Sequence, residues 1–206
     1  MPGSSKGLFS TYLYQGSISA SASLNRRLMQ DVKSFSAADK MGKDWSRENY
    51  RGGYTSYSSL SDMHHRSPAF MDFAAAIEKE AAKFAKDLKW EMRGMELSMT
   101  ACWFNIMPKN TYHTSHLHPH SVLSGAYYVD TPPGSIALKI EDPRMQSFMH
   151  APMKKSGAEG LYYQVQAKAG SFVLFESWVR HEVPPNTSSK PRISISFNFS
   201  LEAPSL

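Results

Sequence analysis

Apolar residues recur at steps of three and four in the first half of the chain, and at steps of two in the second. Leu24, Leu28, Val32 and Phe35 form one helical stripe. Phe70, Phe73, Ile77, Ala81, Phe84 and Leu88 form a longer one, with Glu78, Lys79, Glu80 and Lys83 on the opposite face. Ser67 and Pro68 open that helix. A serine hydroxyl accepts from a free first-turn amide, and proline has no N–H to leave unpaired there. The small polar run Ser19 to Ser23 is placed to cap the first helix. Residues 7–16 read as a short strand ending at Gly16. Residues 36–66 hold no sustained period and read as an irregular connection, with His64 and His65 on the surface.

The period changes after Met92. Residues 95–107, 124–130, 135–140, 161–166, 171–175 and 192–199 are rich in strand formers, several with clear alternation. They are separated by breakers such as Thr131-Pro132-Pro133-Gly134, Asp142-Pro143 and Ala169-Gly170. Short strands at this spacing predict a sandwich or double-stranded barrel, with the two helices bracing one sheet from outside. We expect one domain over residues 1–206. Residues 1–92 supply the N-terminal strand, helices and irregular segment, and residues 93–206 the β core.

Composition narrows the class. Hydrophobic residues make up 41% and charged residues 20%, ordinary values for a globular chain. The net charge of +5 is spread over dispersed residues such as Arg26, Arg27, Lys86, Lys89, Lys154 and Lys155, so nucleic-acid binding is not compelled. The single cysteine, Cys102, excludes an internal disulfide framework and reads as a small buried hydrophobe. The sequence shows neither an apolar run long enough for a membrane span nor a secretory signal, so the expected location is cytoplasmic. Nothing specific signals a homodimer, which an open sheet edge would permit.

The candidate chemistry is concentrated. Half of the eight histidines lie between Tyr112 and His120: His113, His116, His118 and His120. If that stretch is extended, His116, His118 and His120 share a face and His113 points away. Neutral imidazoles converging this way suit Fe, Zn, Ni or Cu. Pro119 should break the strand before His120, which favours the pair His116 and His118. Tyr127 and Tyr128 follow, and by alternation only one of them faces the site. Much later come His181 and, eleven residues on, Arg192, with Ser194 two positions beyond on the same face. Asn105 and Trp178 are further candidates for the pocket wall. A polar, histidine-rich surface turn is the bland alternative for the cluster.

The phrases from His116 to Val129, Leu174 to Asn186 and Arg192 to Asn198 resemble a bacterial and phage branch of the 2-oxoglutarate/Fe(II) oxygenases. The resemblance covers about residues 95 to 200. It implies a mostly β, double-stranded β-helix fold (jelly-roll, cupin-like) with N-terminal bracing helices, α+β in class. It implies an oxidoreductase, a dioxygenase, that takes Fe(II), 2-oxoglutarate, O2 and a small-molecule or peptide substrate that no motif identifies. The implied metal ligands are His116, His118 and His181. The implied 2-oxoglutarate residues are Arg192, whose planar fork suits a carboxylate, with Ser194, Tyr128 and Asn105.

One departure matters. The family pattern has a carboxylate where this chain has His118. The site is then a three-histidine centre, or Glu141, Asp142 or Glu182 completes it, or the protein binds metal without oxidative chemistry. The competing classes are a cupin-like three-histidine enzyme that does not use 2-oxoglutarate, and a non-catalytic metal-binding β-sandwich.

Overall fold

The computed structural model describes residues 3–133, 135–144, 149 and 160–204. Gly134, Lys154 and Lys155, named above, lie outside the described residues. The element order is β1 (Leu13–Ser17), α1 (Ser21–Ala38), α2 (Lys40–Asn49), β2 (Tyr54–Thr55), a 3-10 turn (Met63–His65), α3 (Pro68–Asp87), β3 (Glu96–Met107), β4 (His113–His116), β5 (Leu123–Asp130), β6 (Ile136–Glu141), β7 (Tyr162–Gln166), β8 (Ser171–Glu176), β9 (His181–Val183) and β10 (Arg192–Glu202). The strands form two antiparallel sheets, six-stranded in the order β1-β8-β5-β10-β3-β2 and four-stranded in the order β4-β9-β6-β7. This is the expected double-stranded β-helix with helices before it.

The alternation of β10 sorts the large sheet into two faces. Ile193, Ile195, Phe197 and Phe199 join one buried cluster with Leu24, Leu28 and Val32 of α1 and Phe70, Phe73 and Ile77 of α3. Arg192, Ser194, Ser196 and Asn198 turn the other way, into a cavity. The same division splits the tyrosine pair: Tyr127 packs with the helices and Tyr128 faces the cavity. Cys102 is fully buried in the helix-side cluster, where burial pushes its thiol far up. Among the described residues no helix is long and apolar enough to cross a membrane.

Gly125 sits at mid-sheet in β5, where a methyl group would lie 2.5 Å from the Phe197 ring and 2.5 Å from the Val173 carbonyl oxygen. The carbonyl belongs to the neighbouring strand and cannot rotate away. Gly125→Ala is therefore expected to cost about 1–3 kcal/mol, read from urea unfolding.

The helical end of the chain departs from the sequence reading in four places. Residues 36–66 are not wholly irregular, because α2 lies within them. Its buried residues are only Gly42 and Ser46, so it has no apolar stripe to betray it. It is set instead by Asp39, whose carboxylate accepts from the Gly42 amide at 2.9 Å and from Tyr54 Oη and Ser59 Oγ at 2.6 Å each. The first helix is not capped by the serine run: its N-cap is Ala20 at φ 55, with no side-chain hydrogen bond. The first strand starts at Leu13 rather than at residue 7. His64, expected at the surface, is buried in the 3-10 turn, while His65 is exposed. Ser67, by contrast, caps α3 as expected, its Oγ accepting from the Phe70 amide at 3.2 Å.

Asp39 thus ties α2 to β2, and α2 carries side chains into the cavity. Burial alone would raise the Asp39 carboxyl, but the hydrogen bonds from Ser59, Tyr54 and Gly42 outweigh it and hold the group below its ordinary value. A carboxyl lowered in the folded state contributes stability above its unfolded pKa, and that contribution fades as pH falls through the folded value. Asp39→Ala is expected to lose about 1–2 kcal/mol at neutral pH. The gap to wild type should narrow from roughly pH 4 downward, as thermal melts across pH would show.

Candidate metal centre and pocket

The small sheet brings two histidines face to face. β4 and β9 pair with His116 opposite His181, and their ring centroids are 4.4 Å apart. His118 lies just past the end of β4, where its amide donates to the Ser177 carbonyl at 3.1 Å. Its ring centroid is 5.1 Å from that of His116 and 5.2 Å from that of His181. One nitrogen from each of the three lies within 4.8 Å of the others. The convergence of His116 and His118 is therefore not the i, i+2 alternation of a strand. The chain leaves the strand, and the Ser177 contact turns His118 back.

The ring orientations suit a metal. His116 Nδ1 lies 2.7 Å from the Thr114 carbonyl and His181 Nδ1 lies 3.0 Å from the Val179 carbonyl. A carbonyl only accepts, so each Nδ1 carries the proton and each Nε2 keeps its lone pair for a ligand bond. Burial, followed by the nearness of His116, lowers His181 to about 3 and His118 to about 4, so both are neutral at pH 7.

No carboxylate joins them among the described residues. Glu182 alternates away from His181 and pairs with Lys139 at 3.1 Å. Glu141 accepts from Ser115 Oγ at 3.4 Å, and Asp142 accepts from Arg144 Nε at 2.9 Å. None of the three lines the cavity.

The cavity holds about 330 Å3 and runs between the sheets. Register fixes its floor. Arg192 is opposite Met107 across β10 and β3, and Ser194 lies between Asn105 of β3 and Tyr128 of β5. Paired residues share a face, so Arg192, Ser194, Asn105 and Tyr128 all reach the cavity. Arg192 is 2% exposed, in contact with Met107 Sδ. Burial lowers its pKa while the nearby Tyr128 and Tyr50 pull it back up, and an arginine stays charged regardless.

Among the residues that reach the cavity without having been placed there by the sequence, Tyr50 and His113 lie beside the histidines and Arg192. Tyr50, at the C-terminal end of α2, is 5% exposed and stacks on His113 with centroids 4.4 Å apart. No motif or period marks it. His113, expected to point away, lines the same cavity. The register shifts between His113 and His116, and this irregularity puts residues three apart on one face. Tyr50 Oη and Tyr128 Oη are buried with no hydrogen-bond partner among the described residues. Burial raises both phenols and Arg192 opposes the rise, so both remain neutral donors. Two other candidates fall outside. His120 is exposed, at φ 68, and Trp178 is 50% exposed; neither lines the cavity.

Facing histidines on the small sheet lie opposite a buried arginine on the large one, so the class is a double-stranded β-helix with a histidine cluster that could hold a metal ion. Residues 101–198 match a family model described as "Putative 2OG-Fe(II) oxygenase". Enzymes of that family are oxidoreductases, and their cofactors are Fe(II) and 2-oxoglutarate. The matched span runs from β3 to β10 and contains His116, His118, His181 and Arg192, but not Tyr50.

Solved structures share the fold across nearly the whole chain. A Pseudomonas putida prolyl-4-hydroxylase is 19% identical, with 95% of each chain covered and a TM-score of 0.63. HygX from Streptomyces hygroscopicus, solved with nickel and 2-oxoglutarate bound, is 9% identical over 92% of this chain and 83% of that one, with a TM-score of 0.62. A Trichoplax adhaerens prolyl hydroxylase, in complex with a hypoxia inducible factor peptide fragment, is 12% identical over 92% and 83%, with a TM-score of 0.61. No curated protein matches the sequence.

A prediction concerns Tyr50. A phenol hydroxyl beside Arg192 can donate to a carboxylate gripped by that arginine, a charge-assisted hydrogen bond. Tyr50→Phe keeps the ring stacked on His113 and removes only that donor. It is expected to weaken 2-oxoglutarate binding about tenfold with metal affinity unchanged, as calorimetric titration would show.

Proposed function

We propose that the chain is a hydroxylase that holds Fe(II) with His116, His118 and His181 and takes 2-oxoglutarate against Arg192. The residues fit both groups. Three imidazole nitrogens, two of them oriented by backbone carbonyls, form a donor set for a divalent first-row metal. The unpartnered hydroxyls of Tyr50 and Tyr128, buried in the cavity that Arg192 enters, are donors waiting for an anion.

That pairing is the observation that carries the reading. A buried fork of N–H groups with two phenol donors beside it suits the far carboxylate of a dicarboxylic acid. Ser194 adds a hydroxyl on the same face. When bound, iron and 2-oxoglutarate supply oxidation of a substrate C–H bond by O2, with succinate and CO2 formed from the oxo acid.

The chain's own residues bind and orient. His116 and His181 are held by Thr114 and Val179, so their Nε2 atoms present fixed lone pairs. Tyr128, Phe175, Leu138 and Val183 form apolar walls that exclude water from the floor. His118, where the family pattern has a carboxylate, leaves the centre one unit more positive, which favours the anionic co-substrate. An enzyme of the three-histidine kind without 2-oxoglutarate would have no use for Arg192.

The test is an anaerobic titration of Fe(II)-loaded protein with 2-oxoglutarate, followed in the visible range. A metal-to-ligand charge-transfer band that saturates with 2-oxoglutarate is the expected result. Bound iron without a band would overturn the co-substrate assignment, and failure to bind iron would overturn the ligand set.

A further inference from the structure

A line of aromatic rings leads from the surface to the proposed metal centre. Trp45 of α2 lies 6.4 Å from Tyr57, Tyr57 lies 5.1 Å from Trp103 of β3, and Trp103 lies 6.1 Å from His118, centroid to centroid. All four line the cavity. Trp103 is buried, while Trp45 and Tyr57 are 36% and 52% exposed. Large rings left open to water at the mouth of a pocket are the usual furniture of a recognition site.

We propose that Trp45, Tyr57 and Trp103 form the subsite for the primary substrate, and that its occupant is a neutral group carrying a single flat ring. The inference rests on the reading of the centre given above. Charge argues for neutrality. Among the described residues the lining holds no carboxylate and no lysine, and its one fixed cation, Arg192, lies at the floor. Arg192 apart, a charged group set against these rings would meet no side chain of opposite charge among the described lining residues. Size argues for one ring: about 330 Å3 must hold 2-oxoglutarate as well. Asn105 supplies a polar counterpart. Its Nδ2 donates to Ser196 Oγ at 3.0 Å, which leaves Oδ1 buried and unpartnered. That acceptor needs an N–H or O–H, which an ionised 2-oxoglutarate does not carry. Trp45 and Tyr57 both lie outside residues 101–198, so the subsite is built largely by the helical half of the chain.

The probes are 4-methylphenol, 4-methylbenzoate and 4-methylbenzylamine, which share a ring and differ in charge at pH 7. Binding to the metal-free protein is read by saturation transfer to the ring protons. Proximity to the centre is read by relaxation of the same protons with Mn(II) and 2-oxoglutarate added. The neutral phenol is expected to give at least a fivefold larger signal than either ion in both experiments. Trp45→Ala and Tyr57→Ala should each reduce it severalfold. These side chains are partly exposed, so the variants are expected to fold, and their melting temperatures check it.

Preference for either ion, or signals unchanged in both variants, would overturn the subsite. Saturation transfer to the phenol without Mn(II)-induced relaxation would mean that the ring site stands and the metal reading fails. Mn(II) and 2-oxoglutarate binding without phenol binding would leave the centre intact and sink this inference.

Discussion

His181→Ala is expected to lower Fe(II) affinity by roughly two orders of magnitude or more and to abolish turnover. Losing an outer partner that merely orients a ligand already costs 10–100-fold, so losing one of three ligands should exceed that. The side chain is 4% exposed and packs edge-on to Phe175 at 4.6 Å. Its strand, β9, is held by backbone pairing to β4 and β6, so the sheet should survive the substitution. Far-ultraviolet dichroism and a melting curve establish that, and anaerobic equilibrium dialysis measures the metal. His120→Ala is the control. That residue is exposed and outside the cavity, so the variant should bind iron as wild type does. Equal Fe(II) affinity in wild type and His181→Ala would remove this histidine from the centre.

Arg192→Ala should leave iron in place and weaken 2-oxoglutarate by roughly a hundredfold to a thousandfold. Truncating one side of a buried, hydrogen-bonded charge pair costs about 2–5 kcal/mol, most of it from the partner left unpaired. Here the partner would be a carboxylate between Tyr50 and Tyr128, in a cavity walled by Phe175, Leu138 and Val183. Arg192→Lys restores the charge but not the planar fork, so it should recover only part of the loss. The charge-transfer titration reads both variants. Undiminished 2-oxoglutarate binding in Arg192→Ala would end the assignment of this arginine to the co-substrate.

The strands of the β half were legible because their sheets have an inside and an outside. Arg192 to Phe199 alternates apolar and polar, and that alternation is the division between the helix-side core and the cavity. It also explains why one tyrosine of Tyr127 and Tyr128 packs with α3 and the other faces the pocket. The helix α3 was legible through its stripe and its Ser67 cap. Helix α2 was not, since it buries almost nothing and depends on Asp39 reaching Tyr54 and Ser59, residues far along the chain.

By itself the sequence determined the strands of the double-stranded β-helix and its likeness to the oxygenase family model over residues 101–198, and it singled out His116, His118, His181 and Arg192 as the candidate set. Periodicity and residue type are local, and those features are written locally. Only the tertiary structure decided how they meet. The register of β4 on β9 sets His116 against His181, and the Ser177 contact returns His118 to them. A shift in that register brings in His113, and the packing of α2 delivers Tyr50 and Trp45 from a segment without a motif. Such meetings depend on long-range pairing and packing, which leave no period in the chain that makes them.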